Sequence, residues 1–262
     1  MSVKFHIRPV YEVIEEELKT DHIVSIPEDY FTSRRLSTLP PPPTAVSPAP
    51  STTLLPSSLI GSITTMTFPP PQEADRDIAT LLSDSVAMEH LPAMAKLNTG
   101  GWSDGDAATR RFRQTTEFAA RSSHNGAIYM SKGSVFAGIG GLRSIDWWSR
   151  SAEMGIIVAP GCWRRGISVD VHYYYLTFVF EELCLNRIEF KTASSNIAMI
   201  SFCKEVLKAT HDGTLRDAFP VKDTADVFKL YSNVELFSVL ACEWPDLKKR
   251  LQEKIVEQKT HK

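Results

Sequence analysis

The chain has 262 residues, of which 43% are hydrophobic and 23% charged, and its formal net charge is −2. This length provides one sizeable domain with an appendage, and the composition is that of a globular protein. Without a basic excess, charge-driven binding to nucleic acid or to an anionic membrane is excluded, and no apolar run approaches the ~20 residues of a membrane span.

The first 58 residues differ in character from the rest of the chain. Residues 1–36 form a short extension in which Val3, Phe5 and Ile7 alternate with polar residues, which predicts one strand. Residues 37–58 are rich in Pro, Ser and Thr and read as a linker. Because glutamates interrupt the N-terminal segment early, we expect no secretory leader and a cytoplasmic or nuclear protein.

From residue 59 onward, hydrophobic periodicity predicts a mixed domain that extends to residue 262. Residues 166–183 are rich in Val, Tyr and Phe, but their length favours a buried helix. The order of elements predicts an α+β architecture with one βαβ crossover. The predicted strands are 59–68, 126–130, 134–143, 152–158, 187–192, 215–219 and 233–241, and the predicted helices are 72–84, 105–122, 166–183, 196–208 and one from Pro245.

Residues 152–168, AEMGIIVAPGCWRRGIS, run from a predicted strand through a tight basic loop into a predicted helix. The first turn of a helix has unpaired N–H groups and the positive end of the helix dipole. A tight loop before it directs more N–H groups to the same place, which suits a pyrophosphate. Arg164 and Arg165 add positive charge there. Neither a Walker motif nor a dinucleotide fingerprint occupies this position, and Gly138, Gly140 and Gly141 instead indicate a strand bulge or a close backbone approach.

Three segments resemble the GNAT superfamily of acetyltransferases, and specifically its ribosomal-protein N-acetyltransferase-like (RimJ/RimL-type) branch. They are AEMG, a proline and WRRG at residues 152–166, LLSDSVAMEHLP at residues 81–92, and LFSVLACEWP at residues 236–245. They occur in the order found in the family. The resemblance implies a GNAT-like fold, a mixed twisted sheet splayed between two central parallel strands (152–158 and 187–192), with helices on both faces.

The resemblance also implies acetyl-CoA as co-substrate and no metal. A primary amine, belonging to a protein N-terminus or to a small molecule, would attack the thioester directly. Loops around residues 97–105 and 146–149 would recognise that acceptor, and the oligomeric state is open. Asn196 would contact the cofactor, although it is equally a candidate helix N-cap. The pantetheine arm would pair with the backbone of Ile156, Ile157 and Val158, and the pyrophosphate would bind the amides of Trp163, Arg164, Arg165, Gly166, Ile167 and Ser168.

Glu153 matches the family's strand glutamate and is the candidate general base, with a structural or solvent-facing strand glutamate as the alternative. Two positions depart from the family pattern: Arg164 stands where glycine is usual, and Met199 stands where a serine is a candidate proton donor. These departures leave open a second hypothesis. The domain would then be a weak or inactive GNAT-like module that binds acyl-CoA or a partner.

Overall fold

A computed structural model of the chain describes residues 55–91, 94, 100–220 and 231–260. The predicted N-terminal strand, most of the proposed linker and part of the acceptor loop at 97–105 lie outside these residues. The helices are α1 (Asp75–Ser83), α2 (Asp104–Ala119), α3 (Ile167–Thr177), α4 (Ile197–Ser201) and α5 (Trp244–Thr260). The strands are β1 (Ser58–Ile60), β2 (Thr64–Thr67), β3 (His124–Met130), β4 (Val135–Asp146), β5 (Ser151–Val158), β6 (Arg187–Ala193), β7 (Thr210–Pro220) and β8 (Tyr231–Leu240).

The strands form one mixed sheet in the order β1-β2-β3-β4-β5-β6-β8-β7. β5 and β6 are parallel, joined by the crossover through α3, and the other described neighbours are antiparallel. The predicted fold class is therefore confirmed. None of the described helices has the length and apolar character needed to cross a bilayer.

Helices cover both faces of the sheet. On one face, Ile78 and Leu82 of α1 and Ala107 of α2 pack against strand residues such as Ala127 and Ile139. On the other, α3 and α5 pack against β5 and β6 through a larger core that includes Val171, Leu251, Met154 and Phe190. We call these the α2 face and the α3 face. The side chains of β5 alternate between these two faces, as expected for a strand. Met154, Ile156 and Val158 lie on the α3 face and Ile157 lies on the α2 face.

Most predicted elements are present, with shifted ends. Ser103 caps α2, accepting a hydrogen bond from the backbone of Asp106 at 3.1 Å. The long segment after Gly166 is helical, and it ends in a π-helical turn at Phe178–Glu182. The helix predicted at 196–208 is likewise α4 followed by a π-helical turn at Phe202–Val206.

The single strand predicted at 59–68 is wrong, since the structure has a hairpin of β1 and β2 with a turn at Gly61. β7 is also longer than predicted. It is an edge strand, and nearly all its side chains are exposed, so it carries no apolar alternation for the sequence to reveal.

The glycines of β4 permit close strand packing, as the sequence indicated. Gly138 and Gly141 adopt φ values of 150° and 144°. A Cβ on Gly138 would collide with the carbonyl oxygen of Ile157, and one on Gly141 with that of His124. The β3–β4 register shifts between Ile128 and Tyr129, so a bulge lies beside Gly138.

Candidate functional site

The parallel strands β5 and β6 pair over a short distance and then separate. Their ladder has three rungs, Ser151 with Arg187, Ala152 with Ile188, and Glu153 with Glu189. β5 nevertheless continues to Val158 in register with β4, and β6 continues to Ala193 in register with β8. A wedge therefore opens between two strands that are each held on their outer edge. We call it the β5–β6 opening, and it confirms the predicted splay.

Two residues near the end of β5 direct their backbone groups into this opening. The carbonyl of Ile157 lies against Gly138 of β4, and the N–H of Ala159 donates to the carbonyl of Ala137 at 2.8 Å. Neighbouring residues of a strand direct their backbone groups to opposite edges. Ile156 and Val158 therefore face the opening, whereas the backbone of Ile157, one of the three residues predicted to pair with pantetheine, faces β4. Consistently, the Val158 carbonyl accepts a hydrogen bond from Nε1 of Trp163 at 2.7 Å.

The loop after β5 leads into α3 through two left-handed residues, Arg164 with φ 59° and Gly166 with φ 85°. Glycine adopts this conformation freely, whereas a side chain there costs about 1 kcal/mol. Gly166 is the N-cap residue of α3, where an added Cβ would collide with the side chain of Gln258 in α5. The loop thus has the tight backbone that the sequence indicated, and Arg164 keeps it despite not being glycine.

The amides of this loop are open. Within the described part of the chain, no protein group accepts a hydrogen bond from the backbone N–H of Arg164, Arg165, Gly166, Ile167 or Ser168. The N–H of Trp163, also predicted to bind phosphate, instead donates to the carbonyl of Pro160 at 3.2 Å. The open amides lie at the N-terminus of α3, whose dipole adds positive potential. This arrangement suits a phosphate-bearing ligand.

A buried carboxylate fixes the position of α3 and its open amides. Asp170, 1% exposed, accepts hydrogen bonds from the backbone N–H groups of Ser62, Ile63 and Thr64 at 3.0 to 3.2 Å. It also accepts one from the Thr64 hydroxyl at 2.7 Å. These bonds hold the β1–β2 turn against α3, which is why the predicted strand 59–68 is broken there.

Glu153 lies at the last rung before the opening and belongs to an ion-pair network. Its carboxylate accepts hydrogen bonds from Nη2 of Arg143 on β4 and from Nζ of Lys191 on β6, the latter at 3.1 Å. The Glu153 side chain is 14% exposed. Burial raises its pKa, but the contacts with Arg143 and Lys191 outweigh burial and lower it below the ordinary 4.5. The group is therefore ionised at neutral pH.

Asn196 is the N-cap residue of α4, as one of the two hypotheses held. Its Oδ1 accepts a hydrogen bond from the N–H of Met199 at 3.1 Å. The contact with a cofactor, the other hypothesis, stays a prediction. Met199 is half-buried and packs on the α3-face core. A thioether has no proton to donate, so this position cannot act as the family's serine would.

Sequence reasoning missed three residues that the structure brings to this region, Arg143, Lys191 and His172. A signal for Lys191 existed, because charged residues at 187, 189 and 191 alternate with Ile188 and Phe190 along β6. In the predicted acceptor turn, Trp147 donates to the Arg121 carbonyl at 2.9 Å, whereas Trp148 is 97% exposed. Over the described ranges, no His, Cys, Asp and Glu side chains cluster as metal ligands.

Comparisons with known proteins agree with this geometry. The family model described as Acetyltransferase (GNAT) domain matches residues 65–206. A search of curated proteins finds no match.

Solved structures share the fold. A GCN5-related N-acetyltransferase from Brucella melitensis has a TM-score of 0.59 at 19% identity, covering 77% of this chain and 86% of its own. A chimera of spermidine N-acetyltransferase SpeG from Vibrio cholerae and hSSAT has a TM-score of 0.57 at 19% identity, with coverages of 71% and 99%. The microcin self-immunity acetyltransferase MccE, solved with acetyl-CoA and AMP, has a TM-score of 0.58 at 14% identity, with coverages of 71% and 98%.

Proposed function

Because the chain belongs to the GNAT acetyltransferase family, we propose that it transfers the acetyl group of acetyl-CoA to a primary amine. The observation that carries this proposal is the β5–β6 opening, which lies directly before the open amides of Arg164 to Ser168. A phosphate site and a neighbouring slot between strands are what a long, phosphate-ended thioester requires. The name of the spermidine N-acetyltransferase neighbour supports an amine as acceptor.

The residues present fit the cofactor. The pyrophosphate would bind the open amides, with Arg164 and Arg165 as charged partners. The pantetheine arm would lie along β5 and pair with the backbone of Ile156 and Val158. The carbonyl of Val158 is held by the Trp163 indole, so pairing there requires that the indole exchange its partner. We retain Asn196 as a further contact, since its amide Nδ2 is not used in capping α4.

The proposed reaction is direct attack in a ternary complex. Acetyl-CoA, when bound, supplies an activated acyl group, and no covalent enzyme intermediate is needed. Glu153 would take the proton of the attacking amine, directly or through water. Backbone N–H groups of β5 that face the opening would stabilise the developing oxyanion. With Met199 in place of serine, the departing thiolate would take its proton from water.

The acceptor would approach from the α2 face. Glu153 lies on that face, because it precedes Met154, which faces α3. Gly155, the next residue on the α2 face, is exposed and has no atom within 4 Å of the place a Cβ would occupy. This leaves room beside the Glu153 carboxylate. Because loops decide the acceptor, both a protein N-terminus and a small molecule remain within the proposal.

We also propose that the chain belongs to the RimJ/RimL-type branch of the family. The segments at residues 81–92 and 236–245 support the RimJ/RimL-type branch. We also retain the division into an extension at 1–36, a linker at 37–58 and a catalytic domain at 59–262.

The test combines two measurements on the full chain. Calorimetric titration with acetyl-CoA should give saturable binding, and free thiol should be released when peptides with free N-termini or polyamines are added. Binding without thiol release on a broad amine panel would favour the non-catalytic module suggested by Met199. If millimolar acetyl-CoA gives neither binding nor a thermal shift, the proposal is overturned, since a ligand that binds the native state must stabilise it.

A further inference from the structure

One histidine of α3 is fully buried with only one of its two ring nitrogens bonded. His172 is 0% exposed, and its Nδ1 lies 2.6 Å from the carbonyl oxygen of Ser168. A carbonyl can only accept, so Nδ1 carries the hydrogen. Burial lowers the pKa of His172 to about 4, although the Ser168 contact raises it. The ring is therefore neutral at physiological pH, and Nε2 is a bare acceptor.

Nε2 of His172 receives no hydrogen bond from any described residue. Buried polar atoms without partners are rare in native proteins, and each one calls for an explanation. Among the described residues, the other fully buried histidine is His124, and it shows the usual arrangement. Its Nδ1 lies 2.6 Å from the Tyr175 hydroxyl and its Nε2 lies 2.9 Å from the Pro56 carbonyl. The open nitrogen is thus a particular feature of His172.

The position of His172 relates it to the β5–β6 opening. Its ring packs on Phe190, with centroids 5.8 Å apart, and on Phe202, with centroids 4.9 Å apart. Phe190 is the first residue of β6 beyond the last β5–β6 rung. His172 therefore lies on the α3 face beside the apex of the opening. Of these two rings, Phe190 is buried and Phe202 is partly exposed, so a donor from outside would reach His172 by displacing Phe202.

We propose that Nε2 of His172 accepts a hydrogen bond from an amide N–H of the pantetheine arm of CoA. This inference rests on the proposed function, which brings that arm into the opening. The arm has two amide N–H donors. It begins at the pyrophosphate, which in the proposed function binds at the N-terminus of α3, the helix that also carries His172. The bond to Ser168 fixes the tautomer, so His172 acts as an acceptor and not as the donor that protonates the thiolate.

The test separates the pantetheine arm from the phosphates. In calorimetry, His172→Phe, which removes the acceptor and keeps an aromatic ring, should weaken CoA binding about threefold to tenfold. Adenosine 3′,5′-bisphosphate, which lacks the arm, should bind the variant as it binds the wild type. His172→Gln, which keeps a polar atom at the position of Nε2, should retain most of the affinity for CoA.

A measurement on the wild-type chain covers the case in which His172→Phe fails to fold. With ¹⁵N-labelled histidine, CoA should move the Nε2 resonance of His172 towards that of a hydrogen-bonded nitrogen, and adenosine 3′,5′-bisphosphate should not. An unmoved resonance, or equal weakening of both ligands by His172→Phe, overturns the inference while leaving the proposed function intact. If the wild type binds no CoA at all, the proposed function itself fails.

Discussion

Nζ of Lys191 lies 3.1 Å from Oε2 of Glu153, although β6 no longer pairs with β5 at Lys191. Glu153 occupies the last rung, opposite Glu189, and Lys191 is two residues farther along β6. The ammonium thus reaches back across the apex of the opening on the α2 face. An acceptor amine that approaches Glu153 must share or replace this contact, so the pair both joins the strands and controls the environment of the candidate base.

Glu153→Gln tests that base. The substitution keeps the size of the side chain but removes its proton affinity, so kcat should fall by roughly 100-fold or more, while acetyl-CoA affinity stays unchanged. Steady-state kinetics and calorimetry measure the two quantities.

Glu189→Gln is the matched control, because Glu189 also contacts Lys191, at 3.6 Å. An equal loss of kcat in both variants would mean that the charge network, and not proton transfer to Glu153, was disturbed.

Lys191→Met tests the electrostatic origin of the lowered pKa. A carboxylate whose pKa is lower in the folded than in the unfolded state stabilises the fold at pH values above its unfolded pKa, here 4.5. That contribution is lost as the pH falls from 4.5 through the pKa of the folded state. Removing Lys191 raises the pKa of Glu153, so the unfolding free energy should depend less on pH below 4.5. Urea unfolding at neutral and acidic pH measures this.

Lys132→Met, at an exposed lysine in the β3–β4 turn, is the control and should preserve the acid dependence of the wild type. Identical acid dependence in Lys191→Met would contradict the ion-pair account.

Arg164→Gly separates backbone strain from charge. With φ at 59°, Arg164 pays about 1 kcal/mol that glycine would not, so the variant should unfold at equal or higher denaturant concentration. Its affinity for CoA should nevertheless fall several-fold and become less salt-dependent, because a phosphate partner is lost.

Ser134→Gly is the companion variant, since Ser134 has φ 49°, is exposed and lies in the β3–β4 turn, outside the loop of open amides. It should share the gain in stability without the loss in affinity. If Arg164→Gly binds CoA as tightly as the wild type, Arg164 makes no phosphate contact.

The sequence predicted what depends on local pattern, and missed what depends on distant partners. Helix α3 was predictable from the length of its apolar run, and the open amides from the loop that precedes it. The break between β1 and β2 was not, because the carboxylate that holds the turn comes from Asp170, more than a hundred residues later. The direction of the Ile157 backbone follows from register with β4 and its bulge, which no single-strand pattern encodes.

Asp170→Ala tests that long-range contact. Without the carboxylate, the N–H groups of Ser62, Ile63 and Thr64 lose their acceptor, and the unfolding free energy should drop by roughly 3 kcal/mol. Thr64→Val, which removes one hydroxyl donor of the same cluster, should cost only about 1 kcal/mol. Denaturant titrations measure both, and a loss for Asp170→Ala no larger than that for Thr64→Val would contradict the proposed role of the carboxylate.

Hydrogen exchange with and without CoA is the sharpest test of a cofactor site in the β5–β6 opening, because it reports on the amides themselves. Exchange should slow at Arg164 to Ser168 and at Ile156 and Val158, with β7 and its exposed edge unchanged. Saturating CoA that leaves the exchange of the loop and β5 amides unaltered would contradict a cofactor site in the β5–β6 opening.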